Sequence, residues 1–188
     1  MVVTLHLTTE HMRPFSICLL IAALMSVGTT ATPANPLSYS LDRIVLGSNV
    51  KEAIRILGRP SISSATTYRW DNSSGGTITL LTDSNGNITL IDVLGGNHER
   101  RAIDAAGGGG TLGETAHANF NPPKNAKIKD SCGAGLAGEP CVAYTLPKGV
   151  ELVANFGKNT GLADWALTEL VLSDRTLLLA SGRVIAQP

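Results

Sequence analysis

The chain has 188 residues, with 15 Lys and Arg balanced by 15 Asp and Glu, 43% apolar residues, 4% aromatics, 20 Gly and 9 Pro. Zero formal charge supplies no attraction to nucleic acid or to an anionic membrane, so nucleic acid is not expected as a partner. Apolar content this high excludes a wholly disordered chain, and the scarcity of aromatics makes the core aliphatic.

Reading from Met12, Arg13 and Pro14 precede an apolar run over 15–25, followed by small residues up to Ala31. A basic start, a short apolar stretch and a small-residue end are the parts of a secretory signal peptide. Residues 1–34 therefore read as a signal, with Met12 as the true start and a cut after Ala31 or Ala34. The run is shorter than the ~18–20 apolar residues of a spanning helix, so no transmembrane segment is expected after cleavage. The expected location is the periplasm or the extracellular space. Cys18 leaves with the signal, whereas Cys132 and Cys141 remain. Two thiols closing a small loop in an oxidising compartment most simply form a disulfide. A metal site would need two further ligands, and His98 and His117 lie far away in sequence; neither a metal nor a cofactor is expected.

Residues 35–43 read as a flexible lead-in, overlapping a Pro- and Ser-rich stretch at 32–40. After them, Ser48 or Asn49 can cap a helix whose residues Val50, Ala53, Ile54 and Leu57 share one face, and Gly58 with Pro60 stops it. The hydrophobic period then changes from 3.6 to 2. Strands are expected over 66–70, 77–82 and 87–94, separated by turn-rich segments at 71–76 and 83–86. Asn85-Gly86 between strands predicts a type I′ turn; a calcium loop would also need a later bidentate Glu.

Residues 96–110 read as a Gly-rich linker. His98, Glu99, Arg100 and Arg101 suggest a solvated charged face, and the four glycines at 107–110 lack the Lys-Ser/Thr pair of a phosphate loop. The second half repeats the order of the first: a helix start over 111–120 ended by Pro122 and Pro123, then strands over 142–146, 150–156 and 165–173, and a last run at 176–180. The expected fold class is α+β, with two tandem units, 44–95 and 111–188. Each has a short helix plus an antiparallel β-meander, the two forming one or two small sheets.

Leu46-Gly47, a capped helix, Leu57-Gly58-x-Pro60, an aromatic strand with Trp70, and two strands around Asp83 and Gly86 together form a pattern. It resembles the SmpA/OmlA family of outer-membrane assembly proteins and the related β-lactamase-inhibitory-protein fold, over roughly residues 44–94 with a weaker echo in 111–173. The tandem arrangement is more similar to the inhibitory-protein fold, in which a disulfide ties the segment after the helix to the sheet, as Cys132 and Cys141 could do. The resemblance implies binding of other proteins through a sheet and its loops, without chemistry.

The mature chain shows no nucleophile-elbow or metal-helix spacing, so a non-catalytic binding module is the expectation; a structural accessory of outer-membrane assembly and a small hydrolase are the alternatives. Strand alternation sets Arg69, Thr77, Thr79 and Thr89 opposite the face of Tyr68, Trp70, Ile78 and Leu80, and sets Glu151 and Asn155 opposite Val150, Leu152 and Phe156. The polar set is the expected binding face for another exported or envelope protein.

Overall fold

The computed structural model describes residues 39–96, 99–129, 140–158 and 165–175. Residues 1–34, expected to be a signal, and the run at 176–180 lie outside the described residues. In chain order the described residues form β1 (Ser40–Leu41), β2 (Ile44–Val45), α1 (Val50–Leu57), β3 (Ile62–Ser63), β4 (Thr67–Asp71), β5 (Thr77–Thr82) and β6 (Ile88–Leu94). There follow β7 (Ala102–Ala105), β8 (Gly108–Thr111), β9 (Lys127–Lys129), β10 (Cys141–Leu146), β11 (Val150–Lys158) and β12 (Trp165–Asp174).

The helix forms where capping and periodicity put it. Asn49 accepts a hydrogen bond from the Lys51 amide at 3.1 Å, Glu52 and Arg55 pair one turn apart, and Gly58 closes the last turn at φ 81°. Val50 and Ala53 are buried, and Ile54 and Leu57 pack partly against the core. The indole of Trp70 donates to the Gly58 carbonyl at 2.9 Å, fixing the helix end on β4.

The strands assemble into two antiparallel sheets, one ordered β2-β1-β7-β8 and one ordered β3-β4-β5-β6-β12-β11-β10-β9. The larger sheet contains both meanders, joined through their last strands, with Glu169 opposite Leu94 and Leu172 opposite Ile91. Tyr144, Leu152, Leu172, Ile91, Leu80 and Tyr68 form one row along its inner face. These residues join Leu41, Ile44 and Ile103 of the small sheet and Val50 and Ala53 of α1 in a single apolar cluster, with Tyr68 at its margin.

This architecture corrects the α+β reading. The described residues are mostly β, and α1 is their one α-helix. Over 111–120, Gly113, Thr115 and Asn119 are poor helix formers, and side-chain bonding offers the backbone another path. The Thr111 amide donates to Thr115 Oγ1 at 2.7 Å, Ala116 bridges to Ala166, and His117–Asn119 make a 3₁₀ turn against β12.

The flexible segments are also corrected. Tyr39 and Leu41, in or beside the lead-in, are buried in the core. Residues 102–111 form the hairpin β7–β8, and Gly108 lies so close to residues 121–123 that an added Cβ would sit 2.4 Å from the Asn121 carbonyl oxygen. The glycines there permit close backbone contact and do not act as a linker. The described residues accordingly belong to one compact unit. In the turn before β6, Gly86 has φ 81° but Asn85 is not left-handed, so the type I′ expectation is replaced by a turn in which Asp83 Oδ1 accepts from the Asn85 and Asn87 amides.

Candidate functional site

The outer face of the large sheet carries three rows of side chains set by the strand register. Arg69, Thr79, Asp92, Val171, Val153 and Ala143 form the middle row, ending at Lys129. On one side run Asp71, Thr77, Leu94, Glu169 and Asn155, and on the other Leu81, Leu90, Ser173, Glu151 and Thr145. None of Leu81, Leu90, Leu94, Val153 or Val171 belongs to the core cluster. They are half-buried or, for Leu94, 38% exposed. The face is thus apolar over much of its area, with Asp92 and Glu169 set among these side chains and ion pairs toward its ends.

Five of the six expected binding residues lie here: Arg69, Thr77, Thr79, Glu151 and Asn155, drawn from both meanders onto one surface. Arg69 Nε meets Asp71 Oδ1 at 2.6 Å. Glu151 takes Lys129 Nζ at 2.6 Å and Arg175 Nη1 at 3.2 Å. The Asn155 amide donates to Glu169 Oε2 at 2.5 Å.

Thr89 is the exception. The register slips between Leu81 and Thr82, because β6 carries one extra residue there. Thr89 points inward with Ile91 and Val93, and the extra residue lets Ile88 be buried beside it; Thr89 is fully buried and its hydroxyl donates to the Leu81 carbonyl at 3.2 Å. Alternation counted back from Asp92 and Leu90 already puts Thr89 inside, so it is not on the outer face with the other five. Of the expected disulfide, Cys141 opens β10 opposite Asn155, and Cys132 lies outside the described residues.

Sequence reading missed the acidic pair at the centre. Asp92 on β6 and Glu169 on β12 sit diagonally across the seam between the meanders. Burial, together with the Glu169 charge and a hydrogen bond to it, pushes the Asp92 carboxyl up to about 7, with Arg69 pulling the other way. Asp92 Oδ1 is buried without a hydrogen-bond partner. Alternation along 88–94 places Asp92 on the polar side, but its neighbour Glu169 depends on a pairing across half the chain, for which the sequence carries no local signal.

In the charged segment before β7, Arg100 is exposed, but Glu99 and Arg101 are drawn into contacts with other elements. Glu99 is 9% exposed and accepts from Asn72 Nδ2 at 2.9 Å and from the Gly96 amide at 3.2 Å, while Arg101 bridges it to Asp42 at 3.5 and 3.3 Å. These bonds tie the β4–β5 turn to the small sheet. His98 lies outside the described residues.

A carboxyl beside a carboxylate can hold one proton and could in principle move it, but acid–base chemistry also needs a concavity to hold a substrate over the pair. A cleft of about 570 Å³ lies elsewhere, between the end of α1 and β3, lined by Ile54, Arg59, Pro60, Ser61, Ser63 and Tyr68. No carboxylate lines it. Among the described residues no three His, Cys, Asp or Glu are grouped to hold a metal, and no helix is long and apolar enough to cross a membrane. Compared with protein families, characterised proteins and solved structures, the chain matches none.

Proposed function

We propose that the chain is an exported, non-catalytic module that binds another exported or envelope protein through the outer face of its large sheet. One observation carries this reading: Leu81, Leu90, Leu94, Val153 and Val171 stand outside the core around the Asp92–Glu169 pair, on a face whose ends carry the Arg69–Asp71 and Glu151–Lys129–Arg175 ion pairs. Apolar side chains left outside the core and flanked by charged pairs are a feature of protein interfaces. The partner suited to it is a protein surface with an apolar centre of its own. The resemblance of 44–94 to the SmpA/OmlA family, and the reading of 1–34 as a signal, point to the same compartment and style of action. The Cys132–Cys141 disulfide belongs to this proposal.

Site-directed photocrosslinking tests it. Probes placed at Thr79 and Val153 should trap one and the same envelope protein, and a probe at the exposed Lys51 on α1 should not. Trapping of that protein only from Lys51 would move the interface to the helix side. Trapping of a second copy of the chain from the sheet would replace the partner by self-association. Consumption of a substrate by the purified mature chain would overturn the non-catalytic reading.

A further inference from the structure

We propose that Asp92 and Glu169 share one proton across the β6–β12 seam, and that losing this proton weakens both the seam and the docking of a partner on the outer face. The docking half rests on the function proposed above; the proton-sharing half does not. Its basis is geometric. The two carboxyl groups come from the strands that join the meanders, on adjacent rows of the same face. The Asn155 amide holds Glu169 through Oε2, which turns that carboxylate into a fixed acceptor. One oxygen of Asp92 is closed off from solvent with no donor to meet it.

The surroundings supply little compensating charge. Thr79 and Val171 lie directly opposite Asp92 on β5 and β12, and neither is ionisable. From β4, Arg69 favours the ionised form, but its guanidinium is engaged by Asp71. Glu151 on β11 adds negative charge in the neighbouring row, and Lys129 on β9 and Arg175 beyond β12 are already paired with it. With the proton in place the pair carries one negative charge and an internal hydrogen bond. Without it, two carboxylates face each other in a half-buried site.

The direction of the pH effect follows from linkage. Asp92 has a folded-state value near 7 against an ordinary 3.8, so the folded chain binds more protons than the unfolded chain between those values. Its contribution to stability is fully present below about 3.8 and is lost as pH rises through about 7.

Carbon-detected NMR titration of the Asp92 carboxyl in the full mature chain, with thermal unfolding followed over the same pH series, tests the proposal. Asp92 should titrate near neutrality, and the unfolding temperature of the wild type should fall as the medium goes from mildly acidic to mildly alkaline. In Asp92→Asn that fall should flatten. In Glu169→Gln, which keeps the bulk, the Asp92 titration should shift down, so the test survives even if the first variant folds poorly. An Asp92 titration in the ordinary carboxylate range, or an unaltered pH dependence in Asp92→Asn, would overturn proton sharing. Crosslinking from Thr79 should weaken over the same rise in pH. Crosslinking that does not vary with pH while Asp92 titrates near neutrality would overturn the docking half and leave the shared proton standing.

Discussion

The indole nitrogen of Trp70 on β4 and the carbonyl of Gly58 at the end of α1 are joined by a 2.9 Å hydrogen bond, 12 residues apart in sequence. It satisfies a carbonyl that the helix leaves without an intrahelical partner, and it positions the helix on the inner face of the large sheet. Trp70→Phe keeps most of the buried ring but removes the donor. It should cost about 0.5–1.5 kcal/mol in urea unfolding, the net worth of one hydrogen bond at the exposed Gly58, whereas Trp70→Ala should cost about 3–5 kcal/mol through the cavity it leaves.

At the other end of the helix, Asn49→Ala removes the side-chain acceptor of the Lys51 amide. The expected loss is about 1 kcal/mol, read as a lower urea midpoint with an unchanged slope. Asn49→Asp should keep the cap.

The β7–β8 hairpin separates two kinds of glycine. Gly108→Ala forces a methyl group into the backbone of residues 121–123, and should lower stability by about 1–3 kcal/mol. Gly107→Asn, at φ 88° with open space around it, should stay within about 0.5 kcal/mol of the parent, because Asn tolerates the left-handed region. Equal, negligible effects at both positions in a thermal scan would restore the linker.

The turn before β6 should be acid-sensitive. Hydrogen bonds from the Asn87 side chain and from the Asn87, Asn85 and Gly86 amides hold the Asp83 carboxyl below its ordinary range. A depressed folded-state value stabilises the chain above the unfolded value and loses that contribution as pH falls through the folded one. Amide exchange at Asn85 and Asn87 should therefore quicken in acid after correction for the intrinsic rate, and Asp83→Ala should show the fast exchange at all pH.

Glu151→Gln releases Lys129 and Arg175 from their shared anion. Because those cations are partly exposed, the change should cost no more than about 1 kcal/mol in thermal unfolding, and added salt should shrink the difference.

What could be read from the sequence was local. The cap at Asn49, the stop at Gly58, and the alternation that became β4, β5, β10 and β11 all depend on neighbours a few residues apart. The small sheet could not be read this way, since β1 and β2 are two residues long and β8 contains three glycines. Its strands exist because β7 lies between β1 and β8 and buries Ile103 in the common core. On the outer face of the large sheet, Arg69, Thr77, Thr79, Glu151 and Asn155 followed from period-two alternation. Thr89 lies inside because it shares the parity of Ile91 and Val93 and not that of Asp92. Asp92 and Glu169 required knowing that β6 pairs with β12.

That pairing also sets the order in which the chain can fold. Each meander is a run of hairpins whose strands are close in sequence and can associate with small loop-closure cost, whereas Glu169 must find Leu94 across about 75 residues of chain. The slow event is the meeting of two preformed half-sheets along edges that each half must leave bare until then. Those edges, β6 and β12, are rich in Leu, Ile and Val, so a half-made chain exposes the strands most prone to pair with the wrong neighbour.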